Sequence, residues 1–177
     1  MTWESEDFDD LAAELRRRVA SEFRSEAEEV ERLVHLQRKR KAILRDIVTS
    51  AMHQGQGVTL RSDGREWTGE LLGVGTDYLS LKTATHLVDA RLGSIAMSFT
   101  PARQGGRTGK LASATFKARL TELEMVGEEV TLRSIPIGEI SGLIEVVATD
   151  HVEMKLPTER CYLPLDSVVM VIRPLPE

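Results

Sequence analysis

The chain has 177 residues, a formal net charge of −5 and 41% hydrophobic residues. This length is enough for one ordinary domain or two very small ones. No apolar run approaches the roughly 20 residues of a membrane-spanning helix, and the acidic residues 1–20 argue against a signal peptide. The single cysteine, Cys161, cannot form a disulfide within the chain, so we expect a soluble cytoplasmic protein.

Charge is distributed unevenly along the chain. Residues 1–31 contain 11 acidic and 4 basic residues, residues 32–119 contain 6 acidic and 15 basic residues, and residues 120–177 contain 11 acidic and 4 basic residues. A basic middle between acidic ends favours a polyanionic partner. A mixed surface that keeps the protein in solution is the alternative interpretation.

Helical periodicity extends from about Asp7 to His53. Apolar residues recur at spacings of three and four, first at Phe8, Leu11, Leu15, Val19, Phe23, Ala27, Val30 and Leu33 or Val34, and again at Ile43, Ile47 and Ala51. At about 1.5 Å per residue, an unbroken helix would extend far beyond a small domain. We therefore expect it to break, fold back or pair with another helix, for which a coiled coil between subunits is one arrangement.

The strongest pattern in the sequence is an internal repeat. Val58-Thr59-Leu60-Arg61-Ser62 recurs identically 72 positions later, at residues 130–134. At an offset of 73, Gly69 falls on Gly142, and residues 94–97 fall on residues 167–170. Several matches in the same order indicate a duplication.

Each copy contains five short segments of alternating apolar and polar residues, which is the pattern of half-buried strands. The first copy has these segments around Val58 and Leu60, from Arg65 to Val74, around Leu79 and Leu81, from Leu87 to Leu92 and from Ser94 to Phe99. The second copy has them at Val130 to Ile135, Glu139 to Ala148, His151 to Leu156, Arg160 to Leu165 and Ser167 to Arg173.

Turn and glycine positions add detail to this pattern. Asp63-Gly64 predicts a hairpin turn, because both residues tolerate positive φ. Gly69 and Gly142 lie in the middle of long strands, where glycine permits the bend that a small closed barrel requires. Cys161 lies on the inward-facing phase of its strand, which indicates a core residue and not a nucleophile.

Ser113 to Val126 predicts a further helix, with Phe116, Leu120 and Leu123 on one face. The basic, glycine-rich segment between the copies could contact RNA through Arg103, Arg107 and Lys110, although an ordinary solvated connector fits three charges better. The predicted organisation is a helical region at 1–43, a first barrel with its helix at 44–99, a linker at 100–112, and a second barrel with its helix at 113–177.

Four segments of the first copy carry a family resemblance: Val58-Thr59-Leu60, Thr68-Gly69-Glu70-Leu71, DYLSLK at 77–82 and VDARLGSI at 88–95. With the preceding helix, they resemble the Sm-like (LSm) proteins, which include the bacterial Hfq RNA chaperone, over about residues 44–99 and again 113–173. The resemblance implies an α+β, mainly β protein with two tandem Sm-like (SH3-like) five-stranded bent barrels, each preceded by a helix, and a long N-terminal helix. The layout also resembles an uncharacterised actinobacterial family often labelled Fis-type transcriptional regulator, although no helix-turn-helix is found in the sequence.

The resemblance also implies an RNA site. Sm-like proteins commonly hold single-stranded RNA bases between adjacent modules of a ring. The resemblance places Tyr78 at the base-stacking position and Ser80 at the position of the amide that reads the base edge. Stacking on an aromatic ring contributes roughly 1–3 kcal/mol per base. In the second copy these positions hold His151 and Glu153, and because Glu153 would repel a phosphate, that site looks degraded.

The loop between the fourth and fifth strands departs from the family. Hfq-like proteins have a Lys-His pair there, whereas this sequence has Asp89-Ala90 followed by Arg91. Arg91 either binds phosphate or forms a salt bridge with Asp89. Lys82, which ends the run at 77–82, is a further candidate RNA contact.

The most concentrated positive feature is Arg38-Lys39-Arg40-Lys41, followed by Arg45. Each phosphate that such residues neutralise steepens the salt dependence of binding by nearly one unit. The alternative is an ion-paired stretch, with partners in the acidic N-terminus of a neighbouring chain at Glu4, Glu6, Asp7, Asp9, Asp10 and Glu14.

Catalytic and metal-binding patterns are not apparent. The four histidines have no metal-ligand spacing with Cys161, residues 105–110 lack the context and the Ser/Thr of a phosphate-binding loop, and no paired carboxylates emerge. We therefore predict a non-enzymatic protein without cofactor or metal, which binds single-stranded RNA or acts as an RNA chaperone in post-transcriptional regulation. The alternative is a protein-interaction scaffold or transcription-associated factor that uses the barrels and the N-terminal helix. We expect self-association as a ring, or pairing of the two barrels within one chain.

Overall fold

The computed structural model describes residues 5–101, 105–106, 109 and 113–175, with backbone alone at residues 5–13 and 25. The chain divides into two compact units, Met1–Ala42 and Ile43–Glu177. The linker basic residues Arg103, Arg107 and Lys110 lie outside the described residues.

The first unit consists of one helix, α1, at Ser5–Lys41. Its apolar residues with described side chains are all exposed: Leu15, Val19, Phe23, Val30, Leu33, Val34 and Leu36. Exposed ion pairs at helical spacing join Arg18 to Glu22 and Glu29 to Arg32. The long helical stretch breaks after Lys41, as expected, because Ile43 is extended (φ −86°, ψ 153°) and a new helix begins at Leu44.

The second unit contains two helices, α2 (Leu44–His53) and α3 (Phe116–Val126), and ten strands. The strands are β1 (Gly57–Ser62), β2 (Arg65–Val74), β3 (Tyr78–Lys82), β4 (His86–Arg91), β5 (Ala96–Phe99), β6 (Glu129–Ser134), β7 (Gly138–Val147), β8 (His151–Lys155), β9 (Arg160–Pro164) and β10 (Val168–Pro174). The segments predicted from alternation therefore form strands, with bounds that differ by two residues at most.

The prediction of two closed five-stranded barrels is wrong. All ten strands form one antiparallel sheet in the order β5-β1-β2-β3-β4-β10-β6-β7-β8-β9. Each copy has the same internal order, but β4 does not close against β5 of its own copy. It pairs with β10 of the other copy, with Val88 opposite Ile172 and Ala90 opposite Met170. Alternation in a sequence shows which face of a strand is buried, and it carries no information about which strand lies at its edge.

The two copies match in local geometry as well as in strand order. Gly69 lies opposite Val58 as Gly142 lies opposite Val130, and β2 and β7 each contain an irregularity two residues further on. The Asp63-Gly64 turn has positive φ at both residues, 54° and 75°, as the hairpin prediction requires. The corresponding turn of the second copy, between Ser134 and Gly138, is one residue longer, so the copies are equivalent at an offset of 72 before the turn and 73 after it.

Two hydrophobic cores lie against the sheet, and each includes residues from both copies. The first contains Val48, Leu60 and Leu79 together with Met170 of β10, and the second contains Leu120 and Leu132 together with Tyr78 of β3. Cys161 packs against the second core, on the inward-facing side that was predicted. Because each core contains residues of both copies, neither copy has a complete core of its own.

Gly69 is expected to be intolerant of a side chain. A Cβ atom there would collide with the backbone carbonyl of Lys82, whereas a Cβ at Gly93 would meet no heavy atom within 4 Å. Gly69→Ala should therefore lower the free energy of unfolding by about 1–3 kcal/mol, as overpacking does. Gly93→Ala is the matched control and should be close to neutral. Urea unfolding of both variants measures the difference, and equal midpoints would contradict the described close approach.

Candidate nucleic-acid interface

The four consecutive basic residues predicted to bind RNA form the C-terminal turn of α1. Arg38, Lys39, Arg40 and Lys41 are all exposed. Within the part of the chain that the structure describes, none of the four forms an ion pair. Cations at this end of a helix also interact favourably with its dipole. The result is a compact cluster of positive charge, which we call the α1 basic cluster.

Two further predicted contacts, Arg45 and Lys82, belong to the second unit. Arg45 lies in the first turn of α2 and Lys82 ends β3. Both side chains are exposed, and the described residues provide no ion-pair partner for either. Each remains free to contact a phosphate.

Tyr78 faces the protein interior. Its side chain is only 1% exposed, its ring lies 6.1 Å from that of Phe116, and its hydroxyl donates to the carbonyl of Ser113 at 3.1 Å. A base could stack on this ring only after displacing Phe116. In this arrangement Tyr78 therefore joins α3 to the first copy, in place of the stacking role that the family resemblance implied.

Ser80 is also buried, and its hydroxyl hydrogen-bonds to the carboxylate of Asp89. That carboxylate accepts a hydrogen bond from Nε of Arg119 at 2.9 Å and lies 3.4 Å from a guanidinium nitrogen of Arg173. Both arginines belong to the second copy. We call this contact region, with the β4–β10 pairing, the repeat junction.

Arg91 also contributes to the repeat junction. A salt bridge between Arg91 and Asp89 was one interpretation of the sequence. In the structure, the Asp89 carboxylate pairs with Arg119 and Arg173. Arg91 instead donates to the carbonyl of Leu165 at 3.1 Å and lies 5.1 Å from the ring centre of Phe116. An exposed contact with Asp166 at 3.5 Å completes its surroundings.

In the second copy, the positions equivalent to Tyr78 and Ser80 are less buried. His151 packs against Tyr162, with ring centres 5.8 Å apart, and hydrogen-bonds to Asp150 at 2.7 Å. Glu153 lies 3.2 Å from Arg160 and accepts from the Tyr162 hydroxyl at 3.3 Å. Its negative charge is therefore partly compensated by Arg160.

Sequence reasoning missed a second polar cluster between the copies. The Arg133 guanidinium is almost fully buried and lies 2.8 Å from Glu139, 3.2 Å from the carbonyl of Ser62 and 5.4 Å from the ring centre of Trp67. A signal was present, because Arg133 repeats Arg61 in the identical VTLRS segments. A charged residue kept in both copies of a strand indicates a structural partner.

Among the described residues, no group of three or more His, Cys, Asp or Glu side chains is arranged to hold a metal ion. None of the helices described is both long enough and apolar enough to cross a bilayer.

Asp89 should contribute strongly to stability. Asp89→Ala leaves Arg119 and Arg173 without their shared carboxylate, and breaking a buried ion pair in this way costs about 3–5 kcal/mol. Asp166→Ala removes only an exposed contact with Arg91 and should cost less than about 1 kcal/mol. Chemical unfolding of both variants tests this difference, and similar losses would show that the buried pairs contribute little.

The pKa of Tyr78 provides a test of its burial. Burial, together with the charge of Asp89, raises the pKa of its hydroxyl. Because the folded-state pKa is raised, the neutral phenol stabilises the fold below the ordinary pKa of tyrosine, and this contribution is lost as pH rises through the raised value. In a Tyr162→Phe variant Tyr78 is the only tyrosine, so we expect its phenolate absorbance to appear late and together with unfolding. Early ionisation of an intact fold would indicate an exposed ring.

No protein-family model and no curated protein matches this sequence. The inference about function therefore rests on the burial, charge and contacts of the residues described above.

Proposed function

We propose that this chain is a non-enzymatic protein that binds single-stranded RNA through its phosphates, with the α1 basic cluster as the main contact. The observation that carries the proposal is the exposure of Arg38, Lys39, Arg40 and Lys41 without an ion-pair partner among the described residues. Four adjacent cations in a charge-segregated chain suit a polyanion. The proposed location is the cytoplasm.

Contacts to phosphates fit these residues better than contacts to bases. The side chains at the proposed base-reading positions, Tyr78 and Ser80, are buried in the repeat junction. The exposed candidates are Arg45, Lys82 and the α1 basic cluster, which can neutralise phosphates of any sequence. We therefore expect binding that depends strongly on salt and weakly on RNA sequence, as in an RNA chaperone.

The resemblance to Sm-like proteins supports single-stranded RNA over other polyanions. Buried charges do not argue for this ligand, because Asp89, Arg119, Arg133 and Arg173 are occupied with one another and with their neighbours. Among the charged residues, the proposal therefore depends on the exposed cations alone.

A second candidate function is a protein-interaction scaffold, and one observation favours it. The apolar residues of α1 are exposed along the helix at spacings of three and four, for example at Val19, Phe23, Ala27, Val30 and Val34. Such a stripe pairs well with another amphipathic helix. Val19→Asp with Val30→Asp should abolish a protein complex formed through this stripe and leave the α1 basic cluster intact.

The RNA proposal is tested by charge reversal. Lys39→Glu, Arg40→Glu and Lys41→Glu in one variant should weaken binding of a fluorescent single-stranded RNA, measured by anisotropy across a salt series. Losing three phosphate contacts should reduce the slope of log affinity against log salt by roughly two units.

The matched control reverses Arg16, Arg17 and Arg18, another basic triplet on α1, where Arg18 already faces Glu22. This variant has the same net charge and should retain most of the slope. Equal losses in both variants would show that only net charge matters and would overturn the assignment to the α1 basic cluster. Absence of salt-sensitive binding by the unmodified chain would overturn RNA binding itself.

A further inference from the structure

Among the described residues, nothing covers the apolar stripe of α1. The unit that contains it is one helix of 37 residues, which is about 55 Å long at 1.5 Å per residue. Leu15, Val19, Phe23 and Val34 are each between 44% and 67% exposed. Because packing of an apolar face provides most of the stability of a helix in a protein, the stripe is a surface for another helix to cover.

The spacing of the stripe favours two nearly straight helices side by side. Val19 and Val30 are 11 residues apart, and so are Phe23 and Val34. A repeat of 11 residues corresponds to about 3.67 residues per turn, close to that of an unstrained α-helix. Two such stripes therefore stay in contact along their length without the left-handed supercoil of a heptad repeat.

Charge is divided between the two ends of this helical region. Residues 1–14 contain six acidic residues and no Lys or Arg, whereas residues 32–41 contain five Lys or Arg residues and no acidic residue. A parallel pair of helices would place each end beside an end of the same charge. An antiparallel pair places opposite charges together at both ends, and it also aligns the two helix dipoles favourably.

We propose that α1 of one copy of this chain pairs antiparallel with α1 of a second copy. The occupant is a second copy because the matching stripe and the complementary charges are both on this helix. The register that aligns the two stripes places Phe23 against Phe23 on the two-fold axis and Val19 opposite Ala27. The contact joins the same surface of both chains, so it closes with two copies.

The same register matches charges on both sides of the stripe. Arg16 comes within one residue of the level of Glu31 of the second copy, and Arg18 comes within one residue of the level of Glu29. All four side chains are exposed within a single copy, and the symmetry of the contact forms each pair twice. Charged residues that flank an apolar seam set the orientation of paired helices in this way.

This register also affects the α1 basic cluster, because it brings residues 38–41 level with residues 5–8 of the second copy. The acidic end of that copy and RNA therefore compete for the same cations. The inference specifies the partner for the stripe on which the second candidate function depends. It does not rest on RNA binding, and it is measured without RNA.

The mass of the purified full-length chain in solution tests the pairing. Light scattering across a dilution series should give twice the chain mass, falling to one chain mass at high dilution. Val19→Asp with Val30→Asp places carboxylates in the seam and should give one chain mass throughout. The matched control is Ser21→Asp with Leu36→Asp, which adds the same charge at exposed positions two residues from the stripe and should keep twice the chain mass.

Charge reversal at the acidic end tests the orientation. Asp7→Lys, Asp9→Lys and Asp10→Lys in one variant should raise the dissociation constant of the pair at least about tenfold, because the attraction is lost at both ends. A parallel pair would instead become tighter, since the reversal removes a contact between like charges. The control makes the same change in charge at exposed acidic residues of the second unit, Glu128, Glu129 and Glu159, and should leave the dissociation constant unchanged.

Crosslinking tests the register. Val19→Cys and Ala27→Cys are prepared as separate variants that also carry Cys161→Ser. The mixture should give a band of two chains on a non-reducing gel after mild oxidation. Neither variant alone should do so, because equivalent positions are then eight residues, or about 12 Å, apart along the pair, which is too far for a disulfide.

A single-chain mass at every concentration would overturn the proposal. So would an assembly that ignores Val19→Asp with Val30→Asp, because such an assembly would use another surface. Tighter association after reversal of the acidic end, or disulfide bands from each cysteine variant alone, would show a parallel pair and would overturn the antiparallel arrangement.

Discussion

The fold depends on one buried carboxylate and on the origin of its partners. Asp89 lies on β4 of the first copy, and the two arginines that neutralise it come from α3 and β10 of the second copy. A buried carboxylate without a nearby cation costs several kcal/mol. The first copy therefore cannot bury this strand until the second copy is folded against it. Each hydrophobic core also contains residues of both copies, so the two copies must fold together. The duplicated sequence therefore forms one continuous sheet.

The divergence of the two copies limits the buried ion pairs to the junction within the chain. At the offsets of the repeat, 73 and 72 residues, Asp89 corresponds to Tyr162 and Arg119 corresponds to Ile47. If β4 of one chain met β5 of another, Asp89 would be buried against Ile47 and would lose its cations. The cost of that mismatch excludes pairings that a perfect duplication would permit. The substitutions thus confine the polar cluster to the internal contact that holds the chain together.

Local features of this structure could be predicted from the sequence, and long-range ones could not. Alternation predicted the strands and Asp63-Gly64 predicted the hairpin turn, because strands and tight turns both depend on neighbouring residues. The sheet edge of β4 is covered by a strand more than 80 residues away, so the barrel prediction failed there. Tyr78 shows the same limit at the candidate site. It follows a turn, where a ring can be exposed, but Phe116 and Ser113 arrive from a distant segment and cover it.

Burial of the base-reading positions changes what an RNA interface on this chain can do. A cluster of four cations offers few phosphate contacts, and a few contacts alone give weak, sequence-independent binding. The salt dependence of such binding would be set by Arg38 to Lys41.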